Sequence, residues 1–155
     1  MLNIEVINKI DSTIEINLKE LSKLLEQTIK NFSSKTKEFE ISLTISDNKF
    51  IAELNKQYRD KDQPTNVLSL PAYDFSEDLP PIDFIHLGDI IISEEKIIEE
   101  AKEQEKEPKD HFTHLLLHGI LHLIGYEHEE NNQAKEMEEL EIKILSKLNI
   151  NNPYH

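Results

Sequence analysis

The order of hydrophobic periods along this 155-residue chain predicts an α+β fold: one mixed β-sheet of about four strands with helices packed on it. Three observations carry that expectation. Segments of period two are mixed with segments of helical period rather than alternating with them strictly. The helical segments near 17–32 and 132–148 keep their apolar residues on one face. Between them a third helical stretch, Pro108 to about Ile124, carries Leu115, Leu116, Leu117, Ile120, Leu121, Leu123 and Ile124 and has every reason to be buried. The length suits a single domain, residues 1–155, able to bury roughly two-thirds of the surface of its unfolded chain. No internal repeat or low-complexity linker divides it.

Taken in order, residues 2–7 (LNIEVI) alternate and predict a first strand, with a further short strand possible near 13–16. From Asn17, the sequence LKELSKLLEQTIKNF places Leu18, Leu21, Leu24, Leu25, Ile29 and Phe32 at helical spacing. Phe39, Ile41, Leu43 and Ile45 alternate in a half-buried strand. Asp47 is placed to cap a helix with Phe50, Ile51, Leu54 and Tyr58 on its inner face. That helix leaves through Lys56, Arg59 and Lys61 into a Pro64-Thr65-Asn66 turn and a short strand, Val67 to Leu70, stopped by Pro71. Residues 72–84 are acidic, contain Pro80-Pro81 and read as an exposed, mobile loop. A strand at 85–92 has Gly88-Asp89 in its middle, and Ser93 caps a helix, SEEKIIEEAKEQEKE, with a narrow Ile97/Ile98/Ala101 face. Pro108 suits the first turn of the central helix. Asn132 onward forms a last helix with Met137, Leu140, Ile144 and Leu148 on one face.

The chain has no cysteine, which excludes disulfides and thiolate metal sites and fits a reducing, cytoplasmic compartment. Its N-terminus lacks the unbroken apolar core of a signal peptide, and no stretch approaches a membrane span. The net charge of −14 argues at first against a nucleic-acid partner. Its distribution qualifies that: residues 1–75 hold 10 basic and 12 acidic side chains, residues 76–155 hold 7 and 19. A polyanion would therefore approach the N-terminal half, unless a metal reverses the local field elsewhere. Of the 17 basic residues only Arg59 is an arginine, at a place where a planar fork could hold an anion; an ordinary surface ion pair is the bland alternative.

Five of seven histidines fall between 111 and 128, in HFTHLLLHGILHLIGYEH. His118 and His122 share a helix face about 6 Å apart along the axis, so their rings can converge on one ion. His114 and His122 are separated by about 12 Å of rise and cannot both reach it. Gly125 stands at a natural helix C′ position, where reversal would bring His128 back toward the helix. His118, His122 and His128 thus have the ligand spacing of metzincin proteases. Three neutral nitrogen ligands fit one zinc ion with a fourth position open to water, the catalytic pattern. Buried, hydrogen-bonded histidine explains His111 and His114 better. The residue after the first ligand, where zincin proteases carry a glutamate base, is Gly119. A helix-interior glycine costs about 1 kcal/mol relative to alanine, so it admits something close, a neighbouring backbone or a substrate.

HGILHLIGYEH resembles the HGxLHLxGYDH motif of the YbeY family, zinc-dependent single-strand endoribonucleases of ribosomal RNA maturation. The resemblance extends through Tyr58-Arg59, PTNVLSLP (64–71), LGDIIIS (87–93) and EMEELE (136–141). It implies a zincin-like central helix with His118, His122 and His128 as ligands of one Zn2+, and Arg59 as the functionally important arginine. It also implies action on small-subunit rRNA 3′ ends and in ribosome quality control, with single-stranded RNA and the ribosome or its small subunit as partners and no membrane. Lys56, Lys61, Ser69 and His114 are the candidate substrate contacts. Glu127 departs from the family's Asp, and Leu70 from its Phe. Two other readings stay open: a metallopeptidase, favoured by ligand spacing and opposed by Gly119, and a non-enzymatic ribosome-assembly factor with a structural zinc.

Overall fold

The computed structural model describes residues 1–31, 36–74, 79–126 and 130–154. Among them the elements run β1 (Leu2–Asn8), α1 (Leu18–Lys30), β2 (Glu38–Ser46), α2 (Asn48–Arg59), β3 (Val67–Pro71), β4 (Phe84–Ser93), α3 (Glu94–Glu103), α4 (Pro108–Leu123) and α5 (Asn131–Lys147). The strands make one four-stranded sheet in the order β1-β2-β4-β3. β1, β2 and β4 are parallel, and β3 runs antiparallel along β4, from Val67 opposite Ile92 to Pro71 opposite Gly88. The α+β class and the mixed sheet are as the periods predict.

Side-chain alternation sorts the helices between the two faces of the sheet. Leu43, Ile45, Ile90 and Ile92 share a core with Leu21 and Leu25 of α1, Phe112, Leu116 and Ile120 of α4, and Met137, Ile144 and Leu145 of α5. On the other face Ile91 and Leu68 pack with Ile51 of α2. Each such fully buried Leu or Ile contributes roughly 1.5–3 kcal/mol against exposure.

Local chemistry sets the helix starts. Asn17 accepts from the Glu20 amide (3.2 Å), Asp47 from Phe50 (2.9 Å) and Ser93 from Lys96 (3.3 Å), while Pro108 opens α4. The ends are less conventional. α2, α3 and α5 turn off through left-handed Asp60 (φ 56°), Glu105 (φ 55°) and Asn149 (φ 61°). α3 and α5 are closed by 6→1 hydrogen bonds, Lys106 N to Ala101 O and Ile150 N to Leu145 O, and at α2 the Lys61 amide reaches one residue further back, to Asn55 O.

Several sequence expectations are corrected by these contacts. The helix expected through residue 107 stops at Glu103, because Glu105 takes a conformation that a glycine would have announced. No strand forms at 13–16: the Asn8 side chain accepts from the Ile10 and Ser12 amides, Asp11 goes left-handed (φ 51°), and Ile14 and Ile16 pack onto the core instead. On α2, Tyr58 is exposed and Asn55 takes a buried place, donating to Gln63 O at 2.9 Å. Ile98 is likewise exposed, leaving Ile97 and Ala101 as the inner face of α3. Phe32 and residues 75–78 of the acidic loop lie outside the described residues.

Candidate active site

α4 is pressed against β3 and β4 at Gly119. A Cβ there would lie 3.1 Å from Ser69 Oγ, 3.3 Å from Val67 Cγ2 and 3.4 Å from Ile90 Cδ1. Ser69 Oγ donates to the Gly119 carbonyl at 3.1 Å, so this hydroxyl, a candidate substrate contact, also holds the helix to the sheet edge. What Gly119 admits is therefore the side chains of β3 and β4. Gly88 is demanded in the same region by backbone: at φ 145° its Cβ would lie 2.4 Å from Leu70 O.

One turn of α4 brings the His118 and His122 rings together, centroids 4.5 Å apart and planes at 88°. Their Nε2 atoms stand 3.0 Å from each other. The tautomers follow from the partners at the far side of each ring. His122 Nδ1 lies 2.9 Å from Tyr126 O, a carbonyl that can only accept, so Nδ1 carries the proton. His118 Nδ1 lies 2.6 Å from Glu141 Oε1 and donates to that carboxylate. Each ring then turns an Nε2 lone pair toward the other, the arrangement of two nitrogen donors converging on one position. A zinc-sized ion about 2.0–2.1 Å from both nitrogens spans this separation. The donor set, two neutral imidazoles each fixed by a hydrogen bond behind it, fits a divalent metal of that kind.

Helix α4 ends as the sequence expects. Gly125 takes φ 98°, its amide donates to His122 O at 3.1 Å, and the Tyr126 amide reaches back to Leu121 O at 2.9 Å. The same turn places the Tyr126 carbonyl behind His122. Glu127 and His128 lie outside the described residues. Beside His122, an open hollow of about 390 Å³ is lined by Pro71, Ala72, Tyr73, Asp74, Leu123 and Gly125.

The other histidines of the stretch are engaged elsewhere. His111 Nε2 lies 2.9 Å from Glu100 Oε1, and the same carboxylate accepts from Asn66 Nδ2 at 3.1 and 3.3 Å. Burial holds the His111 pKa below the ordinary histidine value, against the opposing pull of Glu100. His114 faces α5 and the chain beyond it, with Nε2 3.4 Å from Tyr154 Oη and 3.8 Å from Glu141 Oε2.

Glu141 is what sequence reasoning passed over. Burial alone would raise its pKa, but the neighbouring His114 ring and hydrogen bonds with His118 and Tyr154 prevail and bring it down to about 2. Burial first, then the Glu141 carboxylate, pushes the Tyr154 phenol well above its usual range. The signal was present: Glu141 stands four residues after Met137 and three before Ile144, inside the apolar stripe of α5.

Lys56, Arg59 and Lys61 are exposed at the end of α2, which packs on the sheet face opposite α4. Lys56 Nζ lies 3.9 Å from Asp62 Oδ2, a solvent-exposed pair of small energetic weight. The structure brings His118, His122 and Ser69 together around α4, while Lys56, Arg59 and Lys61 stand exposed at the end of a helix whose body packs on the other face of the sheet.

An α+β sheet whose buried helix presents two oriented imidazoles at a strand edge is the frame of a metal-dependent hydrolase. Comparison with known proteins specifies it. Residues 6–149 match the family model described as Endoribonuclease YbeY. The chain is 46% identical over 142 residues to the endoribonuclease YbeY of Acinetobacter baumannii, covering 91% of this chain and 89% of the relative. It is 48% identical over 132 residues to that of Bartonella quintana, covering 85% and 82%. The solution structure of a Thermotoga maritima protein superposes with a TM-score of 0.61 at 28% identity, over 96% of this chain and 89% of the other. The chain belongs to the YbeY family of metal-dependent nucleases and is an endoribonuclease, a hydrolase that acts on RNA.

Proposed function

We propose that this protein is a single-strand-specific, zinc-dependent endoribonuclease of ribosomal RNA processing, acting at the 3′ end of small-subunit rRNA on the ribosome or its small subunit in the cytoplasm. The whole chain serves as one catalytic domain. His118, His122 and His128 hold one zinc, and Arg59 binds the scissile phosphate and offsets charge that develops on it. Lys56 and Lys61 contact the RNA backbone. Bound at the histidines, zinc would supply Lewis acidity toward a phosphodiester or a water. Glu141 and the Tyr126 carbonyl hold the two rings. The observation that supports this reading best is the pair of Nδ1-protonated rings with Nε2 atoms 3.0 Å apart.

A peptidase reading keeps the ligand spacing but loses its base. Position 119 is packed against Ser69, Val67 and Ile90, where a glutamate side chain would not fit without displacing β3.

The test is to incubate the zinc-loaded protein with unstructured RNA and with casein, beside Arg59→Lys and His122→Ala variants. RNA and not casein should be cut. Arg59→Lys should lose roughly 10²–10³ in cleavage rate with zinc content intact, the scale of losing one donor to a transition state. Unchanged cleavage would remove Arg59 from the reaction. A folded His122→Ala protein without metal or cleavage supports a catalytic zinc, whereas loss of the fold along with the metal favours the assembly-factor reading.

A further inference from the structure

Glu141 is 0% exposed and, among the described residues, the one Asp, Glu, Lys or Arg in the buried class. A carboxylate at that depth is tolerable only when its oxygens are supplied with donors. Oε1 takes the His118 Nδ1–H at 2.6 Å, and Oε2 takes the Tyr154 hydroxyl. Tyr154 reaches it because the chain beyond α5 doubles back over α4. Asn149 turns left-handed, the Ile150 amide closes on Leu145 O, and the Tyr154 amide bonds Asn152 Oδ1 at 2.8 Å. The Tyr154 ring then stands edge-on to His114, centroids 5.5 Å apart at 85°. Glu141 of α5 thus meets His118 at Nδ1, and Tyr154, from the chain beyond α5, backs Glu141 and His114.

We infer that Glu141 and Tyr154 are positioning residues of the histidine site: Glu141 holds His118 in the tautomer that turns Nε2 toward the metal position, and Tyr154 holds Glu141. The inference rests on the reading above that His118 is a metal ligand. An ionised carboxylate behind an imidazole fixes its orientation and makes it a stronger donor, and losing such a partner typically costs roughly 10–100-fold in metal affinity. A buried carboxylate serving structure alone would have no need to meet Nδ1 of this ring. The Tyr154 hydroxyl occupies the second oxygen and so keeps the first on His118.

The test uses the full chain and four proteins: parent, Glu141→Gln, Glu141→Ala and Tyr154→Phe. Long-range proton–nitrogen spectra of the histidine rings, recorded metal-free at mildly alkaline pH, report the His118 tautomer directly. Competition with a chromophoric chelator reports zinc affinity, and circular dichroism the fold. The expected result is an Nδ1–H His118 in the parent, in Tyr154→Phe and in Glu141→Gln, which keeps an acceptor. Glu141→Ala should lose that tautomer. Zinc affinity should fall roughly 10–100-fold in both Glu141 variants and by a smaller factor in Tyr154→Phe. An Nε2–H His118 in the parent would overturn the inference, as would zinc affinity unchanged in Glu141→Gln and Tyr154→Phe. If Glu141→Ala does not fold, those two conservative variants decide alone. A His122→Ala protein that binds zinc as tightly as the parent would instead sink the proposed metal site, while the metal-free tautomer still judges Glu141.

Discussion

His111 is 4% exposed, with one ring nitrogen on Glu100 and the other buried, and burial keeps its pKa below 6.5. The sign of the consequence follows from linkage. Because the folded state holds this ring neutral more firmly than the unfolded chain does, the unfolded chain takes up the proton first as pH falls. Stability is therefore fully present above about 6.5 and is lost as pH drops toward the depressed folded value. Urea unfolding in the presence of a chelator, repeated from neutral to mildly acidic pH, should show that loss. His111→Gln should flatten the slope relative to the parent. Equal slopes would assign the acid sensitivity to other groups.

At the scale of elements, the seam between α4 and β3 is the sensitive one. Gly119→Ala improves helix propensity by about 1 kcal/mol. Against that, the new methyl enters a space bounded by Ser69 Oγ, which is tied to the Gly119 carbonyl, and by Val67, whose branched side chain has little freedom to turn. Overpacking of this kind costs about 1–3 kcal/mol, so the variant should be less stable than the parent by about 1 kcal/mol in a urea titration. Zinc affinity should fall with it if the helix shifts, since His118 is the preceding residue. A stabilised Gly119→Ala protein would show that β3 yields and that propensity wins. Part of this seam was visible in advance: a glycine inside a buried helix asks for a close neighbour. Its identity was not, because Ser69 lies 50 residues away and no local pattern ties the two together.

For the whole molecule, a net charge of −14 with Arg59 as its only arginine sets how RNA can be held. If Lys56, Arg59 and Lys61 are the backbone contacts, three phosphates are neutralised, and the logarithm of the binding constant should fall with the logarithm of salt at a slope of about −2. Fluorescence anisotropy of a short single-stranded RNA, with chelator present to prevent cleavage, measures it. A slope near zero would take the polyanion off this side of the molecule. A much steeper one would mean that basic groups outside this trio take part.

By itself the sequence determined what nearest neighbours decide: the alternation of the strands, the caps at Asp47 and Ser93, the reversal at Gly125, and the shared helix face of His118 and His122. Each is a relation within about one helical turn or strand pair, where backbone geometry leaves few alternatives. Local signals failed where the chain used unannounced residues, as in the left-handed helix ends at Asp60 and Glu105. Only the tertiary structure decided that α2 lies across the sheet from α4, that Gly119 makes room for β3, and that Glu141, itself held by Tyr154, closes on the back of His118. Glu141 is 23 residues from the ring it holds. A charge on an apolar stripe states that it needs a partner, and which partner it meets depends on how two helices cross.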